Sequence, residues 1–340
     1  MPVTLKDIAR ELGVSVVTVS KVLRNHTDIG PETRRRVLQK VKELNYRPNL
    51  AARALVTGRT MTIGLVIPDL LQPLFAQLAK VISRVLARQG YGLLISCSDD
   101  DPEIERRELE RLLGHRVDCL IVAPAHLTPE MLQKIQQENR PVVFVERFIP
   151  GVEADFVGVD DIRVGELATE HLISQGYRRI AHVRGPATSS AIGRLQGYQQ
   201  CMLAHNLRVP EQYIAGDPVG ERNAFDRGYK AMKQLLELTP PPDAVFCFDD
   251  TAAIGAMKAI FEAGLRIPED VGLVGCGNMP EAELLRVPLS SIDLASTRMG
   301  EAAARLALRR LVSKRRNRPK KVLVKPSLVA RVSSLRGSAV

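Results

Sequence analysis

No stretch of this 340-residue chain approaches the ~18 consecutive apolar residues that a membrane helix requires, so no membrane span is expected. The N-terminus lacks the positive, apolar, then small-residue pattern of a secretory leader, and a cytoplasmic protein is expected. Five cysteines (Cys97, Cys119, Cys201, Cys247, Cys276) are an odd number with no close pairing. Four lie in or beside apolar strand-like runs, which suits small buried core residues in a reducing compartment. The six histidines are scattered, none at ligand spacing with a cysteine or carboxylate, so no metal is expected. A phosphate-cradling G-x-x-x-x-G-K-[ST] loop and a nucleophile elbow are both missing. Gly275-Cys-Gly-Asn-Met-Pro280 echoes two glycines of the dinucleotide fingerprint without the third. Adjacent Asp249 and Asp250 need not face one another as an acid–base pair would. Neither catalysis nor a cofactor is expected.

What the chain does have is basic charge gathered at one end. Residues 1–60 hold 12 Lys and Arg against 5 Asp and Glu, so this segment supplies +7 of the total +10. Thr4 is a good N-cap with Asp7 three positions on, and Leu5, Ile8, Ala9 and Leu12 recur at helical spacing. Gly13 can end that helix in the left-handed conformation, and Ser15 can cap a second running to about Leu23. Two short helices about a glycine turn predict a DNA-binding helix-turn-helix, whose second helix enters the major groove. A third helix starts at Pro31, with Val37, Leu38, Val41 and Leu44 as its apolar stripe. After Pro48, residues 50–56 are helix-prone but too few to stand alone, since about 12–15 residues are needed in water. A plain linker would be richer in Gly, Ser and Pro.

From Val3 to Leu55 the chain resembles the headpiece and hinge of the lactose-repressor/purine-repressor (LacI/GalR) family of bacterial transcription regulators. The matching stretches are Thr-Leu-Lys-Asp-Ile-Ala (4–9), Gly-Val-Ser (13–15), Thr-Val-Ser (18–20), Leu-Asn-Tyr-Arg-Pro-Asn (44–49) and Ala-Arg-Ala-Leu (52–55). The resemblance implies DNA contacts from Thr4, Ser15, Val16, Val17, Thr18, Ser20 and Lys21 in the headpiece and from Asn49, Ala52 and Leu55 in the hinge. At the position of Leu55 the family places an apolar wedge for the minor groove. Lys21 is expected to read guanine, with Val16 and Val17 meeting thymine methyls.

Beyond Arg59 short apolar strands alternate with amphipathic helices. Strands are expected at 62–67, 92–96, 119–123, 142–145, 156–159, 180–183, 244–248 and 272–275. Helices are expected at 75–89, 102–113, 129–138, 163–175, 193–205, 224–236 and 251–263. Such alternation implies two doubly wound parallel-sheet lobes with a ligand cleft between them. The expected fold is an all-α helix-turn-helix headpiece (1–48), a hinge (49–60) and an α/β core (61–340) that the resemblance implies is periplasmic-binding-protein-like. By the resemblance the chain crosses between lobes three times, with lobe 1 at about 61–160 and 290–320 and lobe 2 at about 161–289 and 321–340.

Residues at strand ends are the effector candidates: the polar Asp69, Asp160, Asp249 and Asn278, with Phe75 flanking the exit of the first strand. The segment Ile192-Gly-Arg194-Leu-Gln-Gly-Tyr198 resembles the family's effector-binding arginine. Phe225 is a candidate for the family's cleft aromatic, in a loop several residues longer than usual. Cys276 and Gly277 stand where the family usually has an aromatic and an aspartate, so the usual charged reader is missing. The basic run at 314–321 is expected to be an exposed crossover loop. The expected partners are double-stranded operator DNA, a small polar effector of the sugar or sugar-acid class, and a second copy of the chain. Control by a phosphoprotein, or without ligand, is the alternative. An exported sugar-binding protein would share the core but needs a leader and no headpiece.

Overall fold

A threonine and an aspartate start the first helix of the computed structural model as a reciprocal cap. The Thr4 hydroxyl accepts from Asp7 N at 3.4 Å, and Thr4 N donates to Asp7 Oδ2 at 2.9 Å. Gly13 then ends α1 (Leu5–Leu12) at φ 65°, conformational space that glycine enters cheaply. The Ser15 hydroxyl accepts from Thr18 N at 3.0 Å and opens α2 (Val16–Leu23). Proline in the first turn opens α3 (Pro31–Glu43), whose Arg36 donates to the Leu12 carbonyl at 3.2 Å. Ile8, Ala9, Val19, Val22 and Val37 form the small core that the three helices share. The structure describes the chain except residues 1–2, 24–25, 47–53, 55–57, 126–127, 218, 220, 222, 314–317 and 338–340. It divides into two compact units, Met1–Thr60 and Met61–Val340. The expected hinge helix at 50–56 falls almost wholly outside the described residues.

The second unit holds two six-stranded sheets. The first contains β1 (Thr62–Ile67), β2 (Gly92–Cys97), β3 (Cys119–Val122), β4 (Val142–Val145), β5 (Asp155–Gly158) and β11 (Lys321–Leu323). Its order is β11-β5-β4-β3-β1-β2, parallel throughout. The second contains β6 (Ile180–Val183), β7 (Ile214–Ala215), β8 (Ala244–Cys247), β9 (Gly272–Cys276), β10 (Ser290–Asp293) and β12 (Ser327–Val329). Its order is β12-β10-β9-β8-β6-β7, with only β12 antiparallel. Central strands such as β3 and β8 are buried at every residue, as sheets covered by helices on both faces require. The covering helices are α4 (Pro73–Ala87), α5 (Pro102–Gly114), α6 (Pro129–Gln137), α7 (Asp161–Ser174), α8 (Ser189–Ala204), α9 (Ala224–Leu236), α10 (Asp250–Glu262) and α11 (Ser296–Val312). All five cysteines are free, four of them buried.

Three crossovers join the lobes, but two lie elsewhere than the sequence suggested. Residues 290–293 were expected in lobe 1; they form β10 of the second sheet, with Ser290 opposite Val274 of β9. The chain leaves lobe 2 only after that strand, at Ala295, whose φ of 52° turns it into α11. Residues 321–323 were expected in lobe 2; they form β11 beside β5 of the first sheet. Pro326 divides what reads as one return segment, so that β11 and β12 edge different sheets.

In lobe 2 the helices pair at unusually close range. A Cβ on Gly165 would lie 2.1 Å from the Arg194 carbonyl, and one on Gly197 would lie 2.0 Å from the Ile162 carbonyl, so α7 and α8 touch backbone to backbone. The pair α9 and α10 repeats the device through Gly228, 1.9 Å from the Ala252 carbonyl, and Gly255, 2.0 Å from the Phe225 carbonyl. Gly197→Ala must push α7 and α8 apart and is expected to cost about 1–3 kcal/mol. The measurement is the urea midpoint of the full chain, and an unchanged midpoint would show that the pair spreads freely.

Candidate functional site

The headpiece presents an apolar tip. Val19 and Val22 of α2 turn inward, leaving Val16 and Val17 at its N-terminal end 38% and 63% exposed. Ser15 and Thr4 are exposed beside them, with Thr18 and Ser20 half-buried. These hydroxyls are engaged within the headpiece, Thr4 donating to Asp7 at 2.7 Å and Ser15 and Thr18 lying 2.9 Å apart. Lys21 is ion-paired with Asp28, a tie the sequence did not suggest, and its hydrogen bond holds the Asp28 carboxyl below its usual range. Asn49, Ala52 and Leu55 lie outside the described residues.

In the core, strand ends from both lobes converge on a cavity of about 40 Å³ lined by Phe75, Glu146, Arg147, Arg194, Phe248 and Asp249, among others. Glu146, at the end of β4, sits at φ 66° and is 2% exposed. Its Oε1 accepts from Arg194 of α8 at 3.3 Å, across the lobes, and its Oε2 accepts from Arg147 at 2.9 Å. Arg147 also pairs with Asp100 and lies 5.6 Å from the centre of the Phe75 ring. Arg194 donates to Asp161 Oδ1 at 3.0 Å and to the Phe248 carbonyl at 2.9 Å, with its guanidinium over the Phe248 ring at 4.5 Å. A second interlobe bond runs from Phe148 N to Ser189 Oγ at 2.9 Å.

Of the residues expected here, Phe75, Arg194 and Asp249 line this cavity. Each guanidinium nitrogen of Arg194, the expected effector anchor, donates to a protein partner. Asp249 caps α10, accepting from Ala252 N at 2.7 Å. The other four do not join them. Asp160 is an exposed cap of α7, and its neighbour Asp161, one residue into the helix, is the carboxylate on Arg194. Asp69 orders its own turn by accepting from Leu71 N at 2.8 Å. Phe225 lies under Lys258, 5.8 Å from its ammonium. Asn278 accepts from Arg331 at 2.8 Å and lines an adjoining groove of about 560 Å³, with Gln77, Lys80 and Arg298, that shares Pro73, Leu74, Gly277 and Met279 with the cavity. The glycine at 277 has a structural counterpart: its φ is 127°, and a Cβ there would lie 3.4 Å from Asp250 Oδ2. An aspartate at 277 would therefore face a carboxylate already buried in bonds to Ser291 at 2.6 Å and Met279 N at 2.8 Å. Glu146 and Arg147 were missed, although two charges directly after the apolar run 142–145 are the signal that marks them.

Five charges meet in this network: Asp100, Glu146 and Asp161 against Arg147 and Arg194. Burial pushes the Asp161 carboxyl up to about 7, with Arg194 opposing and Glu146 adding to the rise. Between the unfolded value near 3.8 and about 7 the folded state keeps a proton that the unfolded chain has lost. Stability from this group therefore falls as pH rises across that window. Urea midpoints at pH 5 and pH 7.5 should fall less for Asp161→Asn, which keeps an acceptor for Arg194, than for the wild type. Identical slopes would remove Asp161 as the titrating group.

With this geometry, the comparisons with known proteins are consistent from end to end. Residues 4–49 match the description "Bacterial regulatory proteins, lacI family", and residues 169–334 match "Periplasmic binding protein-like domain". The HTH-type transcriptional repressor PurR of Histophilus somni is 32% identical over 335 residues, 97% of this chain and 98% of the relative. The lac repressor dimer bound to operator and the anti-inducer ONPF superposes with a TM-score of 0.84 at 26% identity, covering 98% of this chain and 100% of that one. The transcriptional regulator CelR in complex with cellobiose gives 0.73 at 29% identity over 97% and 99%. A capped helix-turn-helix joined in one chain to a two-lobed, thrice-crossed core is thus shared along its whole length with such regulators, and the chain belongs to the LacI family of bacterial regulatory proteins.

Proposed function

We propose that this protein is a homodimeric repressor that binds a pseudo-palindromic operator and is controlled by a small polar effector in the interlobe cleft. It acts by binding and not by catalysis. The observation that carries the DNA reading is the exposed pair Val16 and Val17 at the head of α2, on a segment with a net charge of +7. Apolar side chains there suit thymine methyls, and the surrounding lysines and arginines suit phosphates. A protein two-fold axis demands a DNA two-fold, hence two half-sites. One edge of the first sheet is β2, with Leu94 and Ile95 39% and 40% exposed, a surface suited to a second copy.

The effector reading rests on the charged cleft and on CelR, a neighbour whose ligand is cellobiose. A sugar or sugar acid from a catabolic or transport operon is the fitting class. A cavity of about 40 Å³ is far below the ~300 Å³ of small-molecule pockets, so entry must part the lobes. Parting them breaks Glu146–Arg194 and Phe148–Ser189, and the three crossovers carry the motion to the dimer surface. Coupling of this kind is worth about 1–3 kcal/mol.

Selection from random duplex DNA by the full chain is expected to enrich a two-fold-related site; failure to enrich any sequence overturns the reading. On the selected site, Lys21→Ala should weaken binding by about 10- to 100-fold, the worth of a good base contact, and random DNA far less. Equal loss on both would make Lys21 a phosphate contact. Leu55→Ala should reduce specific affinity and DNA bending together, since an apolar wedge costs unstacking that the kinked duplex repays. An unchanged bend on circularly permuted sites would leave the hinge a mere linker.

A further inference from the structure

Only three arginines are buried among the described residues: Arg147, Arg194 and Arg227. Arg147 and Arg194 are spent on Asp100, Glu146 and Asp161. Arg227 is 5% exposed, its terminal nitrogen donates to the Glu221 carbonyl at 2.5 Å, and its Nε has no hydrogen-bond partner. Among the described residues no carboxylate forms an ion pair with it. A buried cation left this way is costly unless something completes it.

Its position is fixed by the glycine contacts of lobe 2. Gly228, the next residue, abuts the Ala252 carbonyl, and Ala252 N is the donor that holds the Asp249 side chain. Arg227 on α9 and Asp249 capping α10 are thus neighbours for the same reason that Arg194 on α8 and Asp161 on α7 are. In the α7/α8 pair the arginine bonds its aspartate at 3.0 Å; in the α9/α10 pair it does not. Asp249 lines the cavity together with Arg147. Asp249, Asp100 and Arg147 all act electrostatically on Arg227, and burial lowers its affinity for its own proton below the usual arginine range.

We infer that Arg227 is the anion position of the effector cleft, and that the effector is a polyhydroxylated carboxylate whose carboxylate takes the free Nε–H. This rests on the proposed effector cleft and names the ligand class for it. Asp249 and Asp100 accept hydroxyl protons, so the two kinds of protein group match the two kinds of ligand group. A monoanion fits better than a phosphate ester, because a second negative charge would face Asp249, Asp100 and Glu146. The chain's departure at Gly277 agrees: a reader on β9 is replaced by a charge of opposite sign on α9.

The test uses the full chain with D-gluconate, D-galactonate and D-glucuronate, their neutral parents D-glucose and D-galactose, and D-glucose 6-phosphate. Titration calorimetry gives affinities, and fluorescence anisotropy on the selected operator gives the regulatory effect. At least one acid should bind, bind better than its neutral parent, and change operator affinity. Arg227→Gln should cut acid affinity by about 10- to 100-fold, the worth of a charge-assisted bond, and leave any neutral-sugar affinity within about twofold. Arg227→Lys, keeping the charge without the fork, should recover part of the loss. Binding of acid lost equally with neutral sugar in Arg227→Gln would overturn the residue assignment. Binding of neutral sugars or the phosphate ester without the acids would overturn the ligand class while leaving the effector cleft intact. Silence of the whole panel overturns this proposal, and the operator selection then reports separately on the regulator.

Discussion

Glu146 is held by two guanidiniums from opposite lobes, and the cleft is organised around that fact. Its backbone lies at φ 66°, a conformation disfavoured for a residue with a side chain, and its carboxylate is almost fully buried. Removing one partner from such a buried pair costs about 3–5 kcal/mol, because a charge is left without compensation. Replacing one partner by another of the same chemistry costs far less. A bond with that asymmetry makes a poor permanent cement and a good exchangeable one. In the proposed function, Arg194 leaves Glu146 when a ligand offers oxygen in its place.

The arginine side of that bond depends on glycine. Arg194 can reach Asp161, Phe248 and Glu146 together because α7 and α8 meet with backbone carbonyls where Cβ atoms would stand. A helix pair spaced by ordinary side chains stands 8–10 Å apart along its axes, with no room for backbone contact of this kind. The second pair repeats the spacing and delivers Arg227 beside Asp249. Lobe 2 thus presents one bonded arginine–aspartate pair, Arg194–Asp161, and a second arginine, Arg227, left without its aspartate. Lobe 1 contributes the residues that follow its strands: Phe75 after β1, Asp100 after β2, Glu146 and Arg147 after β4. The division lets the lobes move as bodies while each set of donors keeps its own geometry.

Local chemistry was legible in the sequence, and contacts across the chain were not. The Thr4–Asp7 cap, the Gly13 stop and the Pro31 start are decided within a few residues, and the structure has each of them. Strand and helix alternation is likewise local, and it carried the two-lobed architecture. The lobe assignment of 290–293 and 321–323 depends on which strand each pairs with, and Ser290 finds Val274 by register and not by composition. Asp160 and Asp161 differ by one step along a helix start, so one caps at the surface and the other turns inward. Glu146 and Arg194 are 48 positions apart and meet only because two lobes close. Arg227 looks like any charged residue in a helix; only burial without a carboxylate partner distinguishes it.

Charge is divided in a way that shapes how such a molecule can respond. The first 60 residues carry +7 and the remaining 280 only +3, so most of the phosphate-seeking charge sits in the unit that lacks the cleft. In the core the charges that meet at the cleft are buried and mostly paired. At physiological salt, exposed charges are screened over about 8 Å, so an effector's own charge has little long-range reach. What an effector can change is which buried bonds survive, and hence the angle between two rigid lobes joined by three crossovers. A response built this way leaves the basic unit's attraction for phosphate untouched. In the proposed homodimer it acts on whether two copies offer their reading helices at a spacing that one operator can meet.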